Sequence, residues 1–413
     1  MSTGDIYILG GFQTDWARNF TREGKDIADM MRETVQGALD ATRLDPKDVQ
    51  VAHVGNFVGE LMCRQANLGG LVIEAEPAFD GIPTSRHEGA CAAGSLAALG
   101  ATAEIEAGRY DVACVVGVEI LRNLPAFESQ KNLGVAAWVP RETEGLEYPW
   151  PELFSRLGDA YGERYGLDRK HLVALAKNAF ANAKRNPGAQ TRGWSFEDKA
   201  FGEDDALNPK YAARIRRQDC SQITDGGACV FLASRRFAET WAKTRGVSLD
   251  RLARIEGWGH RTSRMALADK LAASSDAEYV FPHVRGTIQD AFKRASIPGV
   301  EQIDVIETHD CFTTTAYMAI DHFGLTPAGK SWQAIEDGTI AFGGKRPLNP
   351  SGGLMGAGHP VGATGVRMLL DAFKQVTSRA GDYQVDGASR VATLNLGGSG
   401  TTSVSFVVGR GSA

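Results

Sequence analysis

Cys91 follows a Gly-Ala turn and precedes AAGSLAALGATAEIEAG, a run of small residues with helical character. A thiol at a helix N-terminus faces exposed N–H groups and the positive end of the dipole, which favour thiolate over thiol. The small neighbours Ala90, Ala92, Ala93 and Gly94 leave room for a substrate to approach the sulfur. An isolated cysteine is more often a buried structural residue, so the local sequence leaves both readings open. His359 lies in NPSGGLMGAGHPVGATG (349–365), where glycines, Gly358 among them, crowd one imidazole ahead of Pro360 and a helical stretch. Such a backbone can approach a ligand closely. The imidazole can take a proton from a thiol or donate to an oxyanion. Asn349 and Ser351 orient this loop or cap a turn.

His309 and Cys311 follow the apolar run IDVIET in the order strand, His-Asp-Cys-Phe, helix. Ligands bind at that end of a strand in open α/β sheets. The second thiol either acts as a general acid or base or packs against Phe312, and Asp310 is either a helix cap or a catalytic group. NLGGSG (395–400) ends another strand, and a glycine turn with free N–H groups can form an oxyanion hole. His53, His171, His260, His283 and His322 have no metal-ligand spacing and read as structural or solvated. Cys63, Cys114, Cys220 and Cys229 lie in or beside apolar runs and read as inert. There is no CxxC pair, no GxxxxGK[ST], and no GxGxxG after a strand. Zinc ribbons, nucleotide hydrolysis and dinucleotide binding therefore lack support, and no metal is expected.

These groups need elements to position them. Apolar β-branched runs at 6–9, 49–54, 112–118, 228–232, 252–258, 303–308, 391–396 and 402–408 alternate with helical patterns at 26–42, 93–107, 286–295, 314–323 and 365–375. Near-continuous apolar strands with intervening helices predict an α/β fold with a mostly parallel sheet covered on both faces. The chain also repeats itself. DVQVAHVGNF (48–57) matches IDVIETHDCF (303–312), and HEGACAAGSLAALG (87–100) matches GAGHPVGATGVRML (356–369). YDVACVVGVE (110–119) matches RVATLNLGGSG (390–400), and DIYILGGF (5–12) matches LARIEGWG (252–259). Four matches in the same order predict a duplicated α/β unit whose halves share one site. The segment 122–220 is richer in charge, Trp, Pro and Asn and reads as an inserted cap shaping a substrate channel. The expected organisation is 1–121 plus 221–248 for the first half, 122–220 for the cap and 249–413 for the second half.

Composition narrows the class. The 413 residues carry 45 basic and 50 acidic side chains, a net charge of −5, which disfavours a nucleic-acid partner. With 43% apolar and 23% charged residues, the chain is of ordinary globular composition. Six cysteines are too few for a disulfide scaffold of this length. No apolar run approaches the roughly 18 residues of a membrane span. MSTGDIYILGGF reads as a first strand and not a signal peptide, and Gly-Arg-Gly-Ser-Ala is no peroxisomal address. A reduced, cytoplasmic setting is the expectation.

The segment around Cys91, HDCF at 309–312 and NPSGGLMGAGHPVGATG at 349–365 together resemble the thiolase superfamily, and most nearly its sterol-carrier-protein type. The resemblance runs along nearly the whole chain. It implies a five-layer αβαβα fold, usually as a homodimer or homotetramer. It also implies reversible Claisen cleavage of a 3-oxoacyl-CoA by CoA, giving an acyl-CoA and acetyl-CoA or propionyl-CoA. Coenzyme A thioesters would be substrates, with no bound cofactor. Cys91 would take the acyl group as a thioester and His359 would activate it. His309, standing where most thiolases have the Asn of an NEAF motif, would form the first oxyanion hole with His359. The backbone N–H groups of Cys91 and Gly397 would form the second. Ser221, in DCSQITDGGA, falls where related enzymes contact the pantetheine arm, and Asn349 and Gly358 join it as expected substrate contacts. Many thiolases carry a second catalytic cysteine in a C-terminal CxG motif. Here that position reads Asn395-Leu396-Gly397, so proton transfer to the α-carbon would fall to Cys311. The alternatives are a ketosynthase-type or hydroxymethylglutaryl-CoA-synthase-type condensing enzyme, or a thiolase-like retro-aldolase or subunit. Some relatives work with a small OB-fold partner that helps to bind acyl-CoA.

Overall fold

A computed structural model describes residues 5–411. Within them the strands are β1 (Ile6–Gln13), β2 (Val51–Gly55), β3 (Thr84–His87), β4 (Val112–Glu119), β5 (Gly226–Ser234), β6 (Ala253–Thr262), β7 (Val305–Thr308), β8 (Arg390–Gly397) and β9 (Thr402–Arg410). They join in the order β3-β2-β4-β5-β1-β6-β9-β8-β7. Parallel pairing is confined to the flanks, β3-β2-β4 and β7-β8, and every other junction is antiparallel. The mostly parallel sheet expected from the sequence is therefore a mixed one. A strand buried on both faces is apolar whichever way it runs, so apolar continuity reports burial and not direction.

The order is that of a duplicated unit. The series β2-β4-β5-β1 is answered on the other side by β7-β8-β9-β6. The two sets meet only where residues 6–8 of β1 pair with 253–255 of β6. Alternation of side chains across the strands then sorts the layers. On β5, Ala228, Val230 and Leu232 face a core shared by both halves, while Cys229 and Phe231 face an outer core. On β9, Val404, Phe406 and Val408 face the shared core, while Val407 faces the opposite outer core. Two helices, Ala93–Glu106 and Val361–Val376, fill the shared core. Helices Ile27–Thr42 and Leu68–Ala75 cover one outer face, and Pro282–Arg294 and Thr313–Phe323 cover the other. The result is five layers, αβαβα.

The central helices touch through glycine. A Cβ on Gly94 would lie 2.6 Å from Gly362 O, and one on Gly365 would lie 2.3 Å from Ser95 N. Neither contact leaves space for a side chain. This close crossing brings the start of each helix, and so the loops before them, to one place. From the cap segment, helices Pro149–Tyr165 and Arg169–Ala183 pack on Thr313–Phe323, with buried Tyr161 donating to Asp321. Among the described residues, no helix is long and apolar enough to cross a membrane.

Candidate active site

The loops entering the two central helices deliver the chemistry. Cys91 sits in the turn Ala90–Ala92 just before helix Ala93–Glu106. Ala90 is held in the left-handed region (φ 51°), and Glu88 accepts its N–H at 2.5 Å. His359 sits just before helix Val361–Val376, and β7 runs directly into His309. A Cys91 sulfur and one nitrogen from each of His309 and His359 all lie within 4.8 Å of one another. The two imidazoles meet edge to face, their centroids 5.3 Å apart at 84°.

Hydrogen bonds assign the two rings opposite tautomers. Thr364 donates its hydroxyl to Pro360 O at 3.0 Å, so its oxygen must accept the 2.7 Å contact from His359 Nδ1. The proton therefore sits on Nδ1, and the Nε2 lone pair is free. That Nε2 is buried and meets no hydrogen-bond partner among the described residues. At His309 the order is reversed. Ser95 donates to Asn395 Oδ1 at 2.8 Å, which turns the amide so that its Nδ2 donates to His309 Nδ1 at 3.1 Å. The His309 proton must then sit on Nε2, which makes this ring a donor. Asn395 is the residue that stands where the resemblance would place a second cysteine. The three atoms are close enough for a soft metal ion, but Asn395 keeps the His309 proton in place, so the trio offers one free imidazole lone pair and a thiol.

Burial keeps every group neutral. The Cys91 thiol is pushed up to about 12, first by desolvation and then by the charge of Glu119, against N–H groups of Gly398 and Cys91 itself that pull it down. Desolvation and the Glu119 charge thus oppose the thiolate preference of the helix end, although Cys91 stays half-buried at the cavity wall. His359 is pushed down to about 3 by burial and by Arg367, and burial likewise holds His309 well below its ordinary range. Burial raises the Cys311 thiol, whose sulfur lies 3.8 Å from Thr315 Oγ1.

Cys91, Cys311, His359 and Ser221 line one cavity of about 450 Å3 that opens into the cap. Ser221 also donates its N–H to Cys311 O at 2.8 Å, which ties its loop to the site. Trp150, Phe154 and Phe312 form an aromatic wall, with Phe154 stacked on Phe312 at 4.7 Å. Three expectations change here. Asn349 lies outside the cavity lining, and its side chain accepts the Thr308 N–H at 2.6 Å, so it shapes the loop against β7. Gly358 adopts φ 113°, and a Cβ there would meet Thr224 Oγ1 at 2.8 Å; it turns the chain so that the His359 N–H reaches that same hydroxyl at 2.8 Å. Neither residue lines the cavity, and His309 is likewise absent from its lining. Gly397 pairs with Thr402 at the end of β8, and Gly398, one residue on, lines the cavity beside Cys91, where its N–H favours the thiolate. Asp310 takes the capping role: its carboxylate accepts the Leu354 N–H at 2.6 Å in the short helix Gly353–Ala357.

Sequence reasoning missed the groups behind the site. Glu119 is buried, accepts the N–H groups of Phe57, Val58 and Gly362, and is pushed up to about 7 by burial. Glu307 binds Ser351 of the His359 loop through its N–H and hydroxyl, at 3.1 and 2.6 Å. Arg367, fully buried, reaches Glu307 at 3.1 Å and Asp371 at 2.8 Å. The available signal was a charged residue within each of the apolar stretches VGVE, VIET and GVRML.

Comparison with known proteins agrees with this geometry. Residues 6–194 match "Thiolase, N-terminal domain" and residues 266–410 match "Thiolase C-terminal domain-like". The chain is 28% identical over 408 residues to an "Acetyl-CoA acetyltransferase" of Methanothermobacter thermautotrophicus, covering 98% of this chain and 100% of that one. It is 26% identical to "Sterol carrier protein 2" of Gallus gallus, covering 97% of this chain and 71% of that one. Among solved structures, the "Ltp2-ChsH2(DUF35) aldolase" superposes with TM-score 0.76 at 18% identity, covering 99% of both chains. Human mitochondrial 3-ketoacyl-CoA thiolase superposes with TM-score 0.67 at 14% identity, covering 100% of both. With its duplicated five-layer fold and both halves matched, the chain belongs to the thiolase superfamily.

Proposed function

We propose that the protein is a thiolase that cleaves a 3-oxoacyl-CoA with CoA, reversibly, through an acyl thioester on Cys91. The observation that carries this reading is the pair of opposed tautomers, a free His359 Nε2 lone pair and a His309 Nε2–H, on two rings that each bring one nitrogen within 4.8 Å of the Cys91 sulfur. The resting pair is neutral, so proton transfer accompanies C–S bond formation. His359 Nε2 takes the thiol proton as the sulfur attacks the 3-keto carbon. The Cα–Cβ bond then breaks, and its electrons pass to the enolate of the departing acetyl-CoA. The His309 Nε2–H faces that oxygen, and one such donor is worth about 2.7–4 kcal/mol. Cys311 gives its proton to the α-carbon and later takes one from the incoming CoA thiol. The CoA thiolate displaces the acyl group, and His359 returns the proton to Cys91. The N–H groups of Cys91 and Gly398 suit the thioester carbonyl oxygen. The acyl group would occupy the aromatic-walled cavity, and Ser221 at its lining suits a pantetheine contact. Homodimer or homotetramer assembly, and a small OB-fold partner, belong to the same proposal.

The test is intact-protein mass after mixing with acetoacetyl-CoA and with longer 3-oxoacyl-CoAs, for wild type and Cys91→Ala. An acyl adduct on wild type alone, cleared by CoA, is the expected result. Turnover that survives in Cys91→Ala would replace this reading with aldol-type cleavage, which needs no thioester. Absence of any adduct or turnover with the isolated chain and with a co-purified partner would overturn it.

A further inference from the structure

Lys270 is 3% exposed, yet no carboxylate among the described residues lies within ion-pair distance of its ammonium. Its three N–H groups are instead shared among four neutral oxygens within hydrogen-bond distance of Nζ: Ser399 Oγ at 2.8 Å, Thr401 Oγ1 at 2.9 Å, Met265 O at 3.0 Å and Arg264 O at 3.1 Å. The two nearest acids are engaged elsewhere, Asp269 with Arg141 and Glu142 with the Leu267 N–H. An ammonium in dry surroundings without a counter-ion is unfavourable and persists only where hydrogen bonds compensate it. Those bonds converge on one feature. Ser399 and Thr401 are the hydroxyl residues of the turn 397–401, whose Gly398 lines the cavity beside Cys91 and favours its thiolate through the backbone N–H. The turn needs outside support. Gly398 and Gly400 both adopt left-handed backbone, at φ 61° and 76°. Within the turn, only the Thr401 N–H closes back, onto Gly397 O at 2.9 Å. Beside Lys270, His283 Nε2 contacts Gly400 O at 2.7 Å and the Ser263 N–H contacts Thr401 O at 2.8 Å.

We infer that Lys270 is a positioning residue for the oxyanion hole: its buried ammonium clamps Ser399 and Thr401 so that Gly398 keeps its place beside Cys91 in the cavity wall, with its N–H available to the sulfur and to the oxygen of the thioester formed there. The part concerning the thioester rests on the proposed acyl-enzyme. The part concerning the sulfur does not, which separates the two tests.

The first test is the pH profile of Cys91 alkylation by iodoacetamide, read by peptide mass in wild type, Lys270→Met and Ser399→Ala. The Gly398 N–H lowers the thiol pKa, so a loosened turn leaves the thiol less acidic. The expected result is alkylation about tenfold slower at a fixed pH, equal to a shift of roughly one pH unit. Ser399→Ala leaves the ammonium in place and decides the matter if Lys270→Met does not fold, as judged by circular dichroism. The second test is the infrared carbonyl stretch of a 13C-labelled acyl-enzyme, which should move to higher wavenumber as its hydrogen bond weakens. Folded variants that trace the wild-type alkylation profile would overturn the assignment. A wild type that forms no acyl-enzyme would overturn the proposed function while leaving the alkylation result to decide the role of Lys270.

Discussion

The two halves of the molecule do the same architectural job with different chemistry. Each places one buried glutamate at or near a strand end beside the site, Glu119 on β4 and Glu307 on β7. Glu119 is satisfied by backbone N–H groups and the Asn56 amide, with no cation in contact. Glu307 is satisfied by Ser351 and by the buried Arg367. The difference follows from what each half must hold. The Cys91 turn is short and runs straight into its helix, so backbone donors suffice. The His359 loop is long and glycine-rich, and it needs a charged anchor to fix it. That anchor has a second effect, because the same Arg367 charge helps to keep both imidazoles neutral.

The comparison can be broken most sharply at the base. His359→Asn should leave Cys91 without its proton acceptor and lower the rate of acyl-enzyme formation about 10²–10⁴-fold, as followed by stopped-flow CoA-thioester absorbance. Folding should survive that change. Next comes the anchor. Arg367→Met strands Glu307 and Asp371 and should lower stability by about 3–5 kcal/mol in urea titration. Glu119→Gln, in the half that lacks a buried cation, should cost less, about 1–3 kcal/mol. Equal losses would show that the halves are held alike. A subtler effect is expected at Asn395. Asn395→Leu frees the His309 Nδ1 and permits the wrong tautomer, and should lower turnover about 10–100-fold with little change in melting temperature.

The smallest effect concerns pH. Glu119 has a folded-state value of about 7, above its ordinary 4.5. A carboxyl raised in this way stabilises the fold fully below about 4.5, and that contribution is lost as pH rises towards 7. The melting-temperature advantage of wild type over Glu119→Gln should therefore shrink between those limits. An advantage that grows with pH would show that Glu119 is ionised at rest.

Much of this was legible because duplication leaves a periodic trace. The four paired segments correspond to β2 and β7, the two central helices, β4 and β8, and β1 and β6. β3 was not legible: TSRH has no apolar run, because an edge strand needs none to join a parallel neighbour. Strand direction was hidden by burial on both faces. At the site, Cys91, His309, Cys311 and His359 were visible as residue types in loops at element ends. The tautomers were not, since they depend on Ser95, Thr364 and Asn395, which are remote or unremarkable in sequence. The pull of desolvation and of Glu119 on the Cys91 thiol is also invisible in the sequence, which shows the helix N-terminus but not what surrounds it.

The glycine crossing between the central helices has a consequence for how the chain comes into being. Cys91 is encoded early and His359 late, and the docking of helix Val361–Val376 against Ala93–Glu106 brings them together. A nascent or half-folded chain therefore displays a cysteine with no imidazole beside it. Under the proposed function, acyl-transfer competence arrives in one step with the completed core, so turnover would double as a readout of successful folding of the whole polypeptide.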